Sequence, residues 1–141
     1  MGHAVGSARY VSLTTFKRDG NPVSCPVWIA PALSGSPFRS DELVFVSLAD
    51  SFKVKRLRRN SRVELRECDA RGRVEPDAVT YVGTGRVLDD PDDVRATKRA
   101  IGNKYGAWYH LFAAGEAVLM RVWSGYKKRV GVAISLDPEV A

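Results

Sequence analysis

Two cysteines (Cys25 and Cys68) and two histidines (His3 and His110) are all that 141 residues offer of thiol and imidazole chemistry. Two thiols cannot build a disulfide framework or a four-ligand zinc site, and two imidazoles do not supply a His-rich catalytic metal centre. A reduced, cytoplasmic protein without a metal is the expectation. Long apolar runs are missing as well. The longest charge-free stretch, 21–38, carries Pro22, Pro26, Pro31 and Pro37, which a membrane helix would hardly tolerate. Met1 to Tyr10 lacks the apolar segment of a secretory signal, and no lipidation motif follows, so no membrane partner is expected. There is no Walker sequence. The glycines of Gly83-Thr84-Gly85 lack the third glycine and the following helix of a dinucleotide fingerprint.

What is present describes a folded domain. Hydrophobic residues make up 45% of the chain, charged residues 27% and aromatic residues 9%, a balance that excludes disorder. The length fits one domain over 1–141, and a chain of this size buries ~68–70% of its unfolded surface. The formal charge is +6, and it is concentrated. Lys53, Lys55, Arg56, Arg58, Arg59 and Arg62 fall within ten residues that contain no acid, so this window alone accounts for the excess.

Strands and helices follow from the patterning. Tyr10–Phe16 is β-branched and aromatic, and Lys17–Asn21 carries an Asp-Gly turn. Val23, Cys25, Val27 and Ile29 alternate with Ser24, Pro26, Trp28 and Ala30 as a second strand, in which Pro26 implies an edge or a bulge. A Gly/Ser/Pro loop at 32–41 leads to Glu42–Leu48, an apolar strand covered on both faces. Asp50 and Ser51 can cap a helix from about Phe52, with Val54 and Leu57 inward. Arg62–Cys68 alternates with Val63 and Leu65 on one face. Arg71-Gly72-Arg73 makes a turn. Val79–Leu88 is a strand whose two glycines invite close approach by a side chain, a cofactor or a second backbone. Asp90-Pro91-Asp92-Asp93 starts a helix running to about Lys104, with Val94, Ile101 and Tyr105 inward and Gly106 as the stop. The segment 107–114 is ambiguous, and 116–123 and 130–136 are closing strands. Many strands with two inserted helices point to an antiparallel barrel.

Side-chain catalysis is poorly provided for. His110 has no evident Asp–Ser or Asp–Cys partners, and Cys25 sits among apolar neighbours, where a thiol is inert. No residue is assigned a catalytic role. Ser47, Ser51 and Lys53 span a strand end and a helix start, where unpaired N–H groups, hydroxyls and an ammonium favour phosphate. A solvated basic helix face remains the alternative for the whole run.

The segments ARYVSLTTFKRDGNPVSCPVWIAP, LVFVSLADSFKVKRLRRNSRVEL, VGTGRVLDDPDDVRATKRAIGNKYG and RVGVAISL together resemble the pyridoxamine-phosphate-oxidase-like superfamily of flavin and deazaflavin oxidoreductases. Within it the chain is most similar to a small actinobacterial branch described as coenzyme F420-dependent, F420 being a deazaflavin. The likeness covers about residues 8–136, and the LTT…DG…PVW hairpin followed by the KVKRLRRN helix is its specific part. It implies a mainly β (α+β) fold, a split antiparallel β-barrel with two or three inserted helices. It also implies a homodimer with a cofactor groove at the subunit interface. By position Lys53 corresponds to the family's phosphate-binding lysine, with Ser47, Ser51 and Lys55 nearby, and Val27 and Trp28 lie against the ring. Lys127, Lys128 and Arg129 are weaker candidates for an acidic tail, a solvated turn being the alternative.

The chain departs from that pattern at Cys25, beside the ring, and at Phe52, where a glycine is usual and where a ring narrows the approach to the phosphate. Ser61 replaces a proline. The chain as given lacks the C-terminal extension by which pyridoxamine-phosphate oxidases grip their substrate, which argues against vitamin B6 oxidation. The implied activity is hydride transfer from reduced F420 to a small unsaturated organic acceptor. An FMN-binding oxidoreductase, a non-catalytic cofactor carrier and a basic nucleic-acid-binding module are the alternatives. The last is disfavoured because aromatic residues do not interleave with the basic run.

Overall fold

Apolar burial along the strands, alternating in some and nearly continuous in others, and a polar cap before each helix set the element order. It runs β1 (Tyr10–Phe16), β2 (Pro22–Val27), β3 (Ala30–Pro31), β4 (Leu43–Leu48), α1 (Phe52–Arg59), β5 (Arg62–Cys68), β6 (Tyr81–Leu88), α2 (Pro91–Tyr105) and β7 (Arg129–Leu136). This is a computed structural model, and it describes residues 8–33, 35, 38–39, 41–106 and 129–137. The expected strand at 116–123, the ambiguous segment 107–114, His3, His110, Lys127 and Lys128 lie outside the described residues.

The strands form one antiparallel sheet in the order β2-β1-β5-β6-β7-β4-β3. Its two edges are consecutive in sequence. β2 ends at Val27 on one edge and β3 begins at Ala30 on the other, with only Trp28 and Ile29 between. Three Cα steps reach at most ~11 Å. Seven flat strands would hold the edges ~29 Å apart. The sheet therefore curls until its edges nearly meet, which is the split barrel that the sequence implied.

Inside the curl lie Val11, Leu13, Ile29, Leu43, Phe45, Val63, Leu65, Val132 and Ile134. Helix α1 adds Leu57 to this core, beside Gly85, where a Cβ would sit 3.2 Å from Leu57 Cδ2. Gly83 faces the neighbouring strand instead, and a Cβ there would run into the Ser135 carbonyl. A side chain and a backbone thus fill the space at the two glycines. Outside the curl, Val44, Leu88, Ala133 and Ala100 of α2 form a second apolar layer. Gly131 lets α2 settle on β7, since a Cβ there would collide with Thr97. Asp90 caps α2 through the Asp92 N–H, Pro91 opens it, and Gly106 at φ 60 closes it.

Two expected strands are shorter than the sequence suggests. The second does not run on to Ala30, because the chain exchanges its pairing with β1 for pairing with β4 at Trp28–Ile29. The strand expected from Val79 starts at Tyr81, where the ladder with β5 ends at Leu65; beyond it Arg66 and Thr80 meet only through their side chains, Arg66 Nε donating to the Thr80 hydroxyl (2.7 Å).

Two polar clusters pin the curl. Glu42, 1% exposed, accepts from Arg86 Nη2 (2.9 Å), Arg86 Nε (3.1 Å) and the Arg39 N–H (2.6 Å), which ties β4 to β6. Burial pushes its carboxyl up, but the Arg86 hydrogen bonds and charge, with the Arg39 N–H and the Ser135 hydroxyl, outweigh that and hold it below the ordinary value. At the corner, Lys104 Nζ donates to the Ala8 and Ile29 carbonyls (2.5 Å each). Tyr105 Oη accepts from the Ile29 N–H (3.2 Å) and lies 2.8 Å from the Arg9 carbonyl and 3.1 Å from that of Ile29. Burial pushes the Lys104 ammonium down to about 8 and the Tyr105 hydroxyl up to about 12.

Arg86→Ala strands the Glu42 carboxylate and is expected to cost about 3 kcal/mol at neutral pH in urea unfolding. The penalty should vanish as the pH falls through the lowered Glu42 value, and a loss under about 1 kcal/mol at pH 7 would contradict the pairing. At the corner the two groups act in opposite senses. Above about pH 8 the unfolded chain keeps the Lys104 proton, up to its ordinary 10.5, that the folded chain has shed, so stability rises. Above 10.0 the unfolded chain ionises Tyr105 while the folded chain holds its proton to about 12, so stability falls. Against a Lys104→Met/Tyr105→Phe double variant, wild-type Tm should therefore gain between about pH 8 and 10 and lose above; parallel curves would refute this.

Candidate functional site

Helix α1 begins where β4 turns outward, and its cap fixes the chemistry at its head. Ser51 is the cap, its Oγ accepting from the Val54 N–H (3.4 Å) and lying 3.1 Å from Ser47 Oγ. The N–H groups of Phe52 and Lys53 precede any intrahelical acceptor, and the helix dipole adds partial positive charge there. No acid occupies the first turn, while Arg56, Arg58 and Arg59 crowd the last.

In front of this helix start lies a cavity of about 330 Å³. Pro26, Val27 and Trp28 line it from the sheet corner, Val46, Ser47 and Leu48 from β4, Ser51 and Lys53 from the head of α1, Lys98 and Ile101 from α2, and Arg129 from β7. Val46 and Leu48 fall on the same side of β4 as Val44, which packs toward α2. Arg129 stands directly opposite Leu48 in the β4–β7 register, so both side chains project to that side. Trp28 stacks on Tyr105 with ring centroids 4.9 Å apart and planes 16° from parallel. The cavity thus combines apolar and aromatic lining residues with three cations and two hydroxyls. Among the described residues no carboxylate lines it.

Five of the six residues singled out from sequence line this one cavity: Val27, Trp28, Ser47, Ser51 and Lys53. Lys55 does not. It is exposed and lies 5.3 Å from the centroid of the Phe52 ring. Phe52 is itself 73% exposed and not part of the lining, so its ring does not narrow the approach. Cys25 packs against the interior core and is also outside the lining. Arg129, weighed against a solvated turn, is half-buried in the wall.

Lys98 and Ile101 were not anticipated as a pair, yet a signal existed. Val94, Lys98, Ile101 and Tyr105 recur at helical spacing along one stripe of α2, and a lysine on an otherwise apolar stripe marks a place where an ammonium meets something other than bulk water. A second, more open recess of about 890 Å³ lies beside the end of β5. Glu67, Asp69, Glu75 and Asp77 against Arg73 give it the opposite charge, and it holds none of the six residues. Among the described residues there is no cluster of His, Cys, Asp and Glu suited to a metal ion, and no helix long and apolar enough to cross a membrane.

The family model described as pyridoxamine 5'-phosphate oxidase matches residues 3–129. Solved structures share the fold at low identity. A conserved hypothetical protein of Mycobacterium tuberculosis, Rv2991, superposes with a TM-score of 0.61 at 22% identity, over 95% of this chain and 76% of that one. A protein named F420 reductase gives 0.57 at 16% identity, over 96% and 92%. The heme storage protein HutZ of Vibrio cholerae gives 0.60 at 9% identity, over 93% and 83%. No curated protein matches by sequence. With its curled antiparallel sheet and a family match spanning most of its length, the chain belongs to the pyridoxamine 5'-phosphate oxidase family.

Proposed function

We propose that the cavity at the head of α1 binds coenzyme F420 and that the protein is an oxidoreductase acting on a small unsaturated organic acceptor. One observation carries this. A single cavity is lined both by an aromatic-apolar pair, Trp28 with Val27, and by three cations from three different elements, Lys53, Lys98 and Arg129, with the paired hydroxyls of Ser47 and Ser51. That arrangement suits a planar ring with an anionic tail, and the donor set, rich in N–H and O–H groups and free of lining carboxylates, fits a phosphate. Membership of a family named for an oxidase of a phosphorylated substrate, and a shared fold with an F420 reductase, support the reading.

The chemistry supplied by the bound group is hydride transfer to the acceptor. The residues of the chain do the rest. Lys53 neutralises the tail from the first turn of α1, Ser47 and Ser51 direct hydroxyls at it, and Val27 and Trp28 orient the ring and keep water from one of its faces. No nucleophile–base pair is required, which agrees with a chain that offers none in its sequence. FMN is the alternative ligand, since it has a similar ring and a phosphate. Action as a homodimer in the cytoplasm belongs to the same proposal.

Titration of the protein with F420 and with FMN, followed by fluorescence, tests it. Micromolar F420 binding is expected, with consumption of the reduced cofactor when an acceptor panel is added. Binding of FMN alone would transfer the proposal to a flavin enzyme, and binding without turnover would make the protein a carrier. Lys53→Ala should weaken the bound ligand about tenfold, the worth of a charge-assisted hydrogen bond of about 1.5 kcal/mol. An unchanged Kd, or steep salt-dependent affinity for DNA or RNA in place of either cofactor, would overturn the reading.

A further inference from the structure

Trp28 lines the cavity but sits in no regular strand. It occupies the two-residue crossing between the edges of the sheet, where the backbone has left β1 and not yet joined β4. A ring carried on such a link has no ladder to fix it. The last turn of α2 holds it here. Tyr105 lies flat against Trp28 at 4.9 Å and is not part of the cavity lining, so it supports Trp28 on the side away from the cavity. Its hydroxyl holds the N–H of Ile29, the next residue, at 3.2 Å. Lys104 Nζ holds the Ile29 carbonyl at 2.5 Å, and its ammonium lies 4.9 Å from the centroid of the Tyr105 ring. Both amide groups flanking Ile29 and the Trp28 ring are therefore held by two consecutive residues of one helix.

We propose that Lys104 and Tyr105 are positioning residues that set the plane of Trp28 as the ring-binding wall of the cavity. The inference rests on the cofactor reading above and goes beyond it. It makes recognition of the ring separable from recognition of the anionic tail. Trp28 is held by the corner and its α2 support, whereas Ser51 and Lys53 sit on the head of α1, which neither Lys104 nor Tyr105 touches among the described contacts.

Two classes of probe separate the two kinds of recognition: F420 and FMN, each carrying ring and tail, and inorganic phosphate, carrying the tail chemistry alone and followed through the amide shifts of Ser51 and Lys53. In Tyr105→Leu the stack and the hydroxyl are both gone. Affinity for the ring-bearing probes should fall roughly five- to tenfold, while the phosphate-induced shifts keep their wild-type midpoint. Tyr105→Phe restores the flat support without the hydroxyl and should recover most of the loss. If the leucine variant folds poorly, Lys104→Met decides instead: it removes the partner of the Ile29 carbonyl and keeps the stack, a severalfold loss of ring affinity at an unchanged phosphate midpoint is expected, and wild-type ring affinity overturns the proposal. Wild-type affinity for F420 and FMN in both Tyr105 variants would overturn the proposal. So would a parallel loss of phosphate and ring binding, which is the signature of general destabilisation. Should Lys53→Ala leave phosphate and ring binding both intact, the cofactor reading itself fails, whatever Tyr105 does.

Discussion

The two-residue crossing at Trp28–Ile29 is the constraint from which the rest of the molecule follows. Because β2 and β3 are opposite edges of one sheet and are joined by so short a link, the sheet has no flat solution. Curling creates the interior that Phe45, Leu13 and Ile134 fill, and it also leaves a corner where the backbone is paired to neither neighbour in a ladder. Buried backbone polar groups need partners. Ile29 is fully buried, and its N–H and carbonyl find Tyr105 and Lys104 rather than a strand. The polar end of α2 is thus part of the closure of the barrel. Lys104 loses solvation to do this, which is why its ammonium is held at about 8.

The same curl decides what becomes of the positive charge. In the sequence, the cations of 53–62 form one cluster; in the fold they have different tasks. Arg56 donates to Thr15 on β1 at 2.7 Å, Arg58 meets Asp89, and Arg62 meets Glu64 and the face of Phe16. Lys55 lies over Phe52. Of the six, Lys53 alone lines the cavity, and the other two cations of that cavity, Lys98 and Arg129, come from distant parts of the chain. The exposed pairs contribute little stability, being screened by water and salt. Charge density along a sequence and charge density at a site are different quantities, and it is the strand register and helix docking that convert one into the other.

This explains which features were legible in advance. Helix α1 could be read to its ends because its signals are local: a serine cap, two inward apolar residues and a proline-free basic face. Helix α2 was equally plain, from Asp90-Pro91 to Gly106. The exchange of pairing partners at Trp28 was not legible, since Val23 to Ile29 keeps a strand's alternation straight through the corner, and nothing local distinguishes pairing with β1 from pairing with β4. Val79 looked like strand for the same reason, although β6 begins only at Tyr81. Of the candidate residues that line the cavity, Ser47, Ser51 and Lys53 are legible from a strand end and a helix cap, whereas Val27 and Trp28 rest on the family resemblance alone. Lys98 was passed over because its role depends on which side of β4 the helix α2 covers, a tertiary fact. Lys55 was included by adjacency to Lys53, but neighbouring residues on a helix are ~100° apart at each step and, two apart, project to different sides.

A site of this kind asks for accuracy in a different place than a hydrolase does. Where side chains perform the reaction, the placement of a nucleophile and a base is decisive, and both must be present in the chain. Where a bound ring performs it, the chain needs a flat surface held at a fixed angle and an anchor at a fixed distance from that surface. In the cofactor site proposed above, anchor and surface would come from elements that are stiff for separate reasons. The anchor rides on the first turn of α1, which Leu57 pins into the barrel core beside Gly85. The surface rides on a link that is intrinsically loose and is made rigid by α2, itself seated on β7 through the close approach of Thr97 to Gly131. Two glycines in the sheet, neither of them in the cavity lining, therefore govern how closely both helices approach and so how far apart anchor and surface stand. Under the cofactor reading proposed above, that spacing is the quantity on which the fold's packing bears most directly.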